Sequence, residues 1–166
     1  ITTNDEEMAA LSRTIREHGQ KRRYWHEMLG YNYRMTDIAA AIGLTQLRKL
    51  ESLNQRRTDN ANCYFEGLRT ITTPFVMDNV KHVFHLYTVR VPQRDRFVGY
   101  LQSKGIGYGI HYPYPIHKQP LFKDHGHLLL PVAEKASQEV VSLPVHPALT
   151  SDDVNYILEV INAYDG

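Results

Sequence analysis

With a single cysteine, Cys63, the chain cannot close an internal disulfide, and such sparing use of thiols suits a reducing cytoplasm. Cys63 follows Ala61 in a helical pattern, which predicts a packed thiol rather than a reactive one. Long apolar runs are missing as well. No stretch approaches the ~20 residues needed to cross a bilayer, and no signal peptide or lipidation motif is visible. The protein is therefore expected to be soluble and cytoplasmic, with no membrane partner. An excess of one charge is also absent. The 19 basic and 18 acidic side chains leave a net +1, which supplies no electrostatic reason to expect a nucleic-acid partner. The basic, aromatic cluster Lys21, Arg22, Arg23, Tyr24, Trp25 and His26 is a local exception, and it reads as an interface or substrate-side loop.

Several chemical signatures are lacking. No Gly-x-Ser-x-Gly elbow occurs, so a serine hydrolase has no positive support, and no glycine-rich phosphate loop of the dinucleotide or P-loop type appears. Nine histidines invite a metal, yet the spacing argues against one. His82 and His85 fall in an alternating stretch, where residues three apart point to opposite faces. No cysteine or acidic partner stands at zinc-ligand spacing. No metal site is expected.

What is present is the composition of a globular protein with a real core, 42% hydrophobic and 22% charged. Its organising stretch runs from Gly30 to Leu53. Thr36 is placed to N-cap a helix, Asp37 puts a negative charge in the first turn, and Ile38, Ala41, Ile42 and Thr45 recur on one face. A second apolar line, Leu44, Leu47, Leu50 and Leu53, predicts that this half of the helix is buried on more than one side. The helix is expected to run from about Met35 to about Leu68 and to bend near Asn54, with Gly43 allowing close packing. Just ahead of it, Asn32, Tyr33 and Arg34 set an amide, a phenol and a guanidinium beside a helix N-terminus. Such a loop either binds an anion such as phosphate or merely caps and packs, and spacing alone leaves both readings open.

The rest of the chain reads in order as follows. Ile1 to Asn4 is the end of a strand, leading into a helix capped by Asn4 or Asp5 and stopped by Gly19. Gln20 to Leu29 is a loop. His82 to Val91 alternates as a strand, Arg94 to Lys104 is a helix ended by Gly105, and Ile106 to Tyr112 is a short glycine-interrupted strand. Pro113 and Pro115 prevent regular structure from His111 to His117, so this is a shaped loop, either a proline-rigid surface loop or a site whose imidazoles and phenols suit sugar hydroxyls and apolar sugar faces, and composition alone leaves both readings open. Pro131 to Val140 is a helix, Ser142 to Pro147 is extended, and Thr150 caps a last helix with Asp153 three positions on.

Gly30-Tyr31-Asn32-Tyr33-Arg34-Met35, then Thr36-Asp37, the Ala39 to Gly43 run and Gln46-Leu47 through Leu50 together resemble the signature of the DegT/DnrJ/EryC1/StrS sugar aminotransferases. The likeness continues through His82 to Val91, Gly105-Ile106, His111-Tyr112-Pro113, Leu143-Pro144 and His146-Pro147, in the family's order.

The resemblance implies an α/β architecture: the C-terminal part of a fold type I pyridoxal-phosphate transferase, made of the small domain and the adjoining helices of the large one. Residues 1–53 would close the large-domain region with its dimer and cofactor loop, and residues 54–166 would form the small C-terminal domain. The implied enzyme is a homodimer that uses pyridoxal 5'-phosphate to aminate a nucleotide-linked keto sugar, commonly with glutamate as donor, for polysaccharide or antibiotic sugars. The family's Schiff-base lysine lies upstream, so no catalytic residue is assigned in this chain, and the chain alone is expected to be inactive. Asn32 is implied to reach the cofactor phosphate of the other subunit. Tyr33, Arg34, His111, Tyr112, Tyr114 and His117 are the implied substrate contacts. Two alternatives stay open: a pyridoxamine-phosphate-dependent sugar dehydratase of the same fold, and a non-catalytic dimerising or sugar-binding domain.

Overall fold

A computed structural model describes residues 1–165. The chain divides into two compact units, Ile1–Lys49 and Leu50 onward. In the first, α1 (Glu6–Arg16) is N-capped by Asp5, whose side chain accepts from the Met8 N–H, with Glu6 and Glu7 in the first turn and Arg13 and Arg16 in the last. Ile1 to Asn4 form no strand. After Gly19, at φ 73°, the chain forms a two-stranded antiparallel ribbon, β1 (Gln20–Arg22) and β2 (Trp25–His26), where a loop was expected. Arg22 and Arg23 lie over the rings of Trp25 and Tyr24, so aromatic and cationic side chains pair along the ribbon and its turn.

The expected long helix is two helices. Thr36 caps α2 (Asp37–Leu47) by accepting from the Ala39 N–H, as its sequence predicts. Arg48 N–H still reaches Leu44 O, but Lys49 N–H reaches back only three residues, to Gln46 O, and α3 starts afresh as Leu50–Gly67. The interruption therefore lies ahead of Asn54, and the expected boundary between 53 and 54 falls within the first turns of α3. Nor is α2 buried. Ile38, Ile42, Leu44 and Leu47 are 76, 59, 61 and 64% exposed, and a methyl on Gly43 would meet no heavy atom within 4 Å. Apolar residues run round this helix without favouring one face, so nothing seats it on its own unit.

The second unit is built on a two-stranded antiparallel sheet, β3 (Tyr87–Arg90) and β4 (Val140–Leu143), in the register Tyr87 to Leu143, Thr88 to Ser142, Val89 to Val141 and Arg90 to Val140. Period-2 alternation sends Tyr87, Val89, Val141 and Leu143 into the core with Ala61 and Tyr64 of α3. Phe97 and Leu101 of α4 (Arg94–Ser103) and Val154, Ile157 and Ile161 of α6 (Ser151–Asn162) complete it. Thr88 and Ser142 stand in the alternate positions of the two strands. α5 (Pro131–Glu139) leads directly into β4.

Two expected strands are curtailed. Phe84 adopts φ 46°, its N–H donates to His82 Nδ1 at 3.0 Å, and its buried ring packs against Phe65 and Tyr87. This turn delays the strand to Tyr87. Ile106 to Tyr112 contributes one bridge, Gly109 to Ser142, rather than a strand. Gly105 at φ 70° stops α4 as expected, and Thr150 and Asp153 form the predicted capping box of α6. Cys63 is exposed on α3, because Ala61 and Tyr64 take the inward positions. Among the described residues no helix is long and apolar enough to cross a membrane, and no three His, Cys, Asp or Glu side chains gather as metal ligands.

Candidate functional site

The candidate residues fall in both units. In the first, the stretch after β2 is laid along the end of α1: Tyr31 N–H donates to Ile15 O at 2.7 Å, Tyr33 N–H to Arg16 O at 3.1 Å, and His18 N–H to Tyr31 O at 2.9 Å. Gly19 and Gly30 make this approach feasible. A Cβ on Gly19 would lie 1.8 Å from Met28 O, and one on Gly30 would lie 1.9 Å from the Gly19 nitrogen. Tyr31 and Tyr33 stack with their centroids 5.0 Å apart.

Asn32 sits on an antiparallel bridge with Glu17 and is exposed. Its Oδ1 accepts from Arg34 Nε at 3.2 Å, and Arg34 Nη1 also reaches Glu17 Oε2 at 3.4 Å. Arg34 thus orients the Asn32 amide, and the Asn32 NH2 has no partner among the described residues. An amide that keeps its oxygen occupied and both N–H bonds available is a donor group suited to a phosphate oxygen. The phosphate end of pyridoxal phosphate fits this donor set.

In the second unit, His111, Tyr112, Tyr114 and His117 line one cleft of about 580 Å³ together with Ile116, Phe122, Leu130 and Val140. Tyr112 and Tyr114 are exposed, whereas His117 is only 6% exposed. The His111–Tyr112 peptide is cis, and a 3-10 turn spans Ile116–Lys118. The cleft is mainly apolar, with imidazole and phenol groups at a few points, which matches a ligand having both ring faces and hydroxyls. His117 is fixed by Glu134: its Nε2 lies 2.9 Å from Glu134 Oε1, which also accepts the Leu130 N–H at 3.1 Å. Those hydrogen bonds, His117 first, and then the Lys118 charge hold the Glu134 carboxyl below its ordinary range. Because the carboxylate only accepts, His117 Nε2 carries a proton. His111 Nδ1 lies 3.0 Å from Ser142 Oγ, and His111 also borders a second cleft of about 500 Å³ lined by Gly105 to Gly109, His146 and Tyr156.

Sequence reasoning missed Glu134 and Ser142. Glu134 left a trace: an acidic residue in the first turn after Pro131 is placed to take a backbone N–H at the helix start. Ser142 left none, since its meeting with His111 depends on long-range pairing.

The model of the DegT/DnrJ/EryC1/StrS aminotransferase family matches residues 1–162. The chain belongs to that family. It is 39% identical over 168 residues to the pleiotropic regulatory protein of Geobacillus stearothermophilus, covering 97% of this chain and 45% of the relative. To the dTDP-3-amino-3,6-dideoxy-alpha-D-galactopyranose transaminase of Aneurinibacillus thermoaerophilus it is 37% identical over 166 residues, covering 99% and 46%. Among solved structures, DesV of S. venezuelae in complex with a ketimine intermediate matches at TM-score 0.90 and 33% identity, over 97% of this chain and 45% of that one. The chain spans about half the length of the curated relatives it matches. Its α/β fold is that of part of a fold type I transferase.

Proposed function

We propose that this chain is the C-terminal part of a cytoplasmic, homodimeric, pyridoxal-phosphate-dependent enzyme that transfers an amino group from glutamate to a nucleotide-linked keto sugar. The observation that carries the reading is the membership of nearly the whole chain, residues 1–162, in an aminotransferase family. Pyridoxal phosphate, when bound, supplies the electron sink that amino transfer needs. The work of this chain is to bind and orient. Asn32 donates its amide N–H to the cofactor phosphate of the other subunit, held for that task by Arg34, and Tyr33 adds to the same loop. His111, Tyr112, Tyr114 and His117 form the sugar wall, where phenol and imidazole groups take hydroxyls and the apolar lining covers the ring face. The 166 residues by themselves carry no turnover, since in this reading the Schiff-base lysine lies outside them.

Half-reactions test the proposal. In the complete enzyme, glutamate should convert the cofactor spectrum and a nucleotide-linked keto sugar should restore it. Tyr112→Ala should slow the sugar half-reaction by about tenfold, the worth of one good hydrogen bond and its packing, and leave the glutamate half-reaction unchanged. Failure of every amino acid and keto sugar to change the spectrum would defeat the assignment. Equal loss in both halves for Tyr112→Ala would remove the loop from the sugar site.

A further inference from the structure

Thr88, Ser142 and Gly109 lie side by side across three neighbouring chain segments, Ser142 being the pairing partner of both others. Ser142 N–H donates to Gly109 O at 2.7 Å and Gly109 N–H to Ser142 O at 3.0 Å, which fixes this row. In extended chain, residues two apart face the same way, so His111 shares the face that a side chain at 109 would occupy. Its ring takes that place. A Cβ on Gly109 would stand 2.4 Å from His111 Cε1 and 3.0 Å from Nδ1, so only glycine leaves room for the imidazole.

Once there, the ring meets two hydroxyls in line. His111 Nδ1 is 3.0 Å from Ser142 Oγ, and Ser142 Oγ is 3.0 Å from Thr88 Oγ1. Ser142 is only 5% exposed, so its hydrogen must go to one of these neighbours. If Ser142 donated to Thr88, the Thr88 hydroxyl hydrogen would have no acceptor among the described residues in a half-buried place. The opposite direction satisfies every group: Thr88 donates to Ser142, and Ser142 donates to Nδ1. That leaves the proton of the neutral ring on Nε2, the nitrogen without a partner among the described residues.

We propose that Ser142 and Gly109 are positioning residues that hold His111 in its Nε2–H form as a fixed hydrogen-bond donor to an oxygen of the sugar, a proposal that rests on the reading of the cleft as the sugar site. An N–H donor suits a keto oxygen, which can only accept, as well as a hydroxyl. Thr88 acts one step behind, by orienting the Ser142 hydroxyl.

The test uses the complete enzyme with ring-15N histidine, the His111 resonances being identified by their loss in His111→Gln. The neutral wild-type ring should carry its proton on Nε2, and Ser142→Ala should convert this to a mixture of tautomers. A wild-type proton on Nδ1, or a tautomer indifferent to Ser142→Ala, would overturn the proposal. Ser142→Ala and Gly109→Ala should each slow the sugar half-reaction about five- to tenfold with the glutamate half intact, and Ser142→Ala should have little further effect once His111 is Gln. An equal effect of Ser142→Ala in both backgrounds would assign Ser142 to the sheet instead. Should Ser142→Ala fail to fold, Thr88→Val, of similar shape, leaves Nδ1 as the remaining acceptor beside the Ser142 hydroxyl, so the ring should stay Nε2–H, and a proton found on Nδ1 would refute the relay. If no keto sugar is aminated, the reading of the cleft fails, while the nitrogen spectrum still judges the state of His111 separately.

Discussion

Glu134 takes the His117 Nε2–H and the Leu130 N–H on the same oxygen, so one carboxylate ties the 3-10 turn at Ile116–Lys118 to the start of α5. Lys118 strengthens the tie by donating to Gly126 O at 2.9 Å and to Leu128 O at 3.2 Å. The lowered pKa of Glu134 makes this clasp pH-dependent with a definite sign. A carboxyl whose folded pKa is depressed stabilises the fold above its unfolded value and loses that contribution as pH falls through the folded one. Thermal melts of the complete enzyme and its Glu134→Gln variant should therefore differ near neutral pH, with the variant less stable. The gap should close as pH falls below about 4.5, the ordinary value from which the group is lowered. A gap that persisted in acid would mean that the clasp works through shape rather than charge. At this scale sequence reading found His117 but not its partner. Histidine in a proline-bounded loop is visible as a chemical type, whereas a carboxylate seventeen residues on becomes its partner only when α5 folds back.

Among the elements, those with a chemical start signal came out as their sequences predict. Thr36 caps α2, Pro131 opens α5, and Thr150 with Asp153 closes the capping box of α6. A box of this kind satisfies helix-end N–H groups that would otherwise lack partners, and removing its hydroxyl typically costs about 1 kcal/mol. Thr150→Ala should lower the unfolding free energy by about that amount in chemical denaturation, because α6 carries Val154, Ile157 and Ile161 into the core. A change within error would show that Asp153 caps the helix unaided. Elements whose limits have no such signal were misjudged. Arg48 and Lys49 are ordinary helix formers, so nothing local announces the tightened turn between α2 and α3. The alternation from His82 onward looks extended throughout, but burial of the Phe84 ring against Phe65 and Tyr87 accompanies a left-handed backbone that no pattern of apolar residues reveals.

For the whole molecule, the proposed sharing of each site between two subunits has a direct test. Asn32→Ala should weaken retention of pyridoxal phosphate about ten- to a hundredfold, the worth of a charge-assisted hydrogen bond, without unfolding the protein. Mixing Asn32→Ala subunits with subunits whose Schiff-base lysine is replaced should restore activity towards one working site per mixed dimer. One site then carries both defects, and the other has an intact lysine and an intact Asn32 from across the interface. If subunit exchange is demonstrated and activity stays near zero, Asn32 serves its own chain or a different purpose.

Residues 30–50 and the histidine-proline stretches carry the resemblance to the family, and the starts of α2, α5 and α6 are legible along the chain because cap residues and prolines act over a few positions. They also marked His111, Tyr112, Tyr114 and His117 as a set, which the fold places on one cleft. What only the tertiary structure decided lies in contacts between distant segments. The row Thr88, Ser142, Gly109 and the seat it makes for His111 follow from β3–β4 register and from a bridge joining residues 109 and 142. Register is a collective property of paired strands, set by which faces are buried together. No residue in isolation carries it.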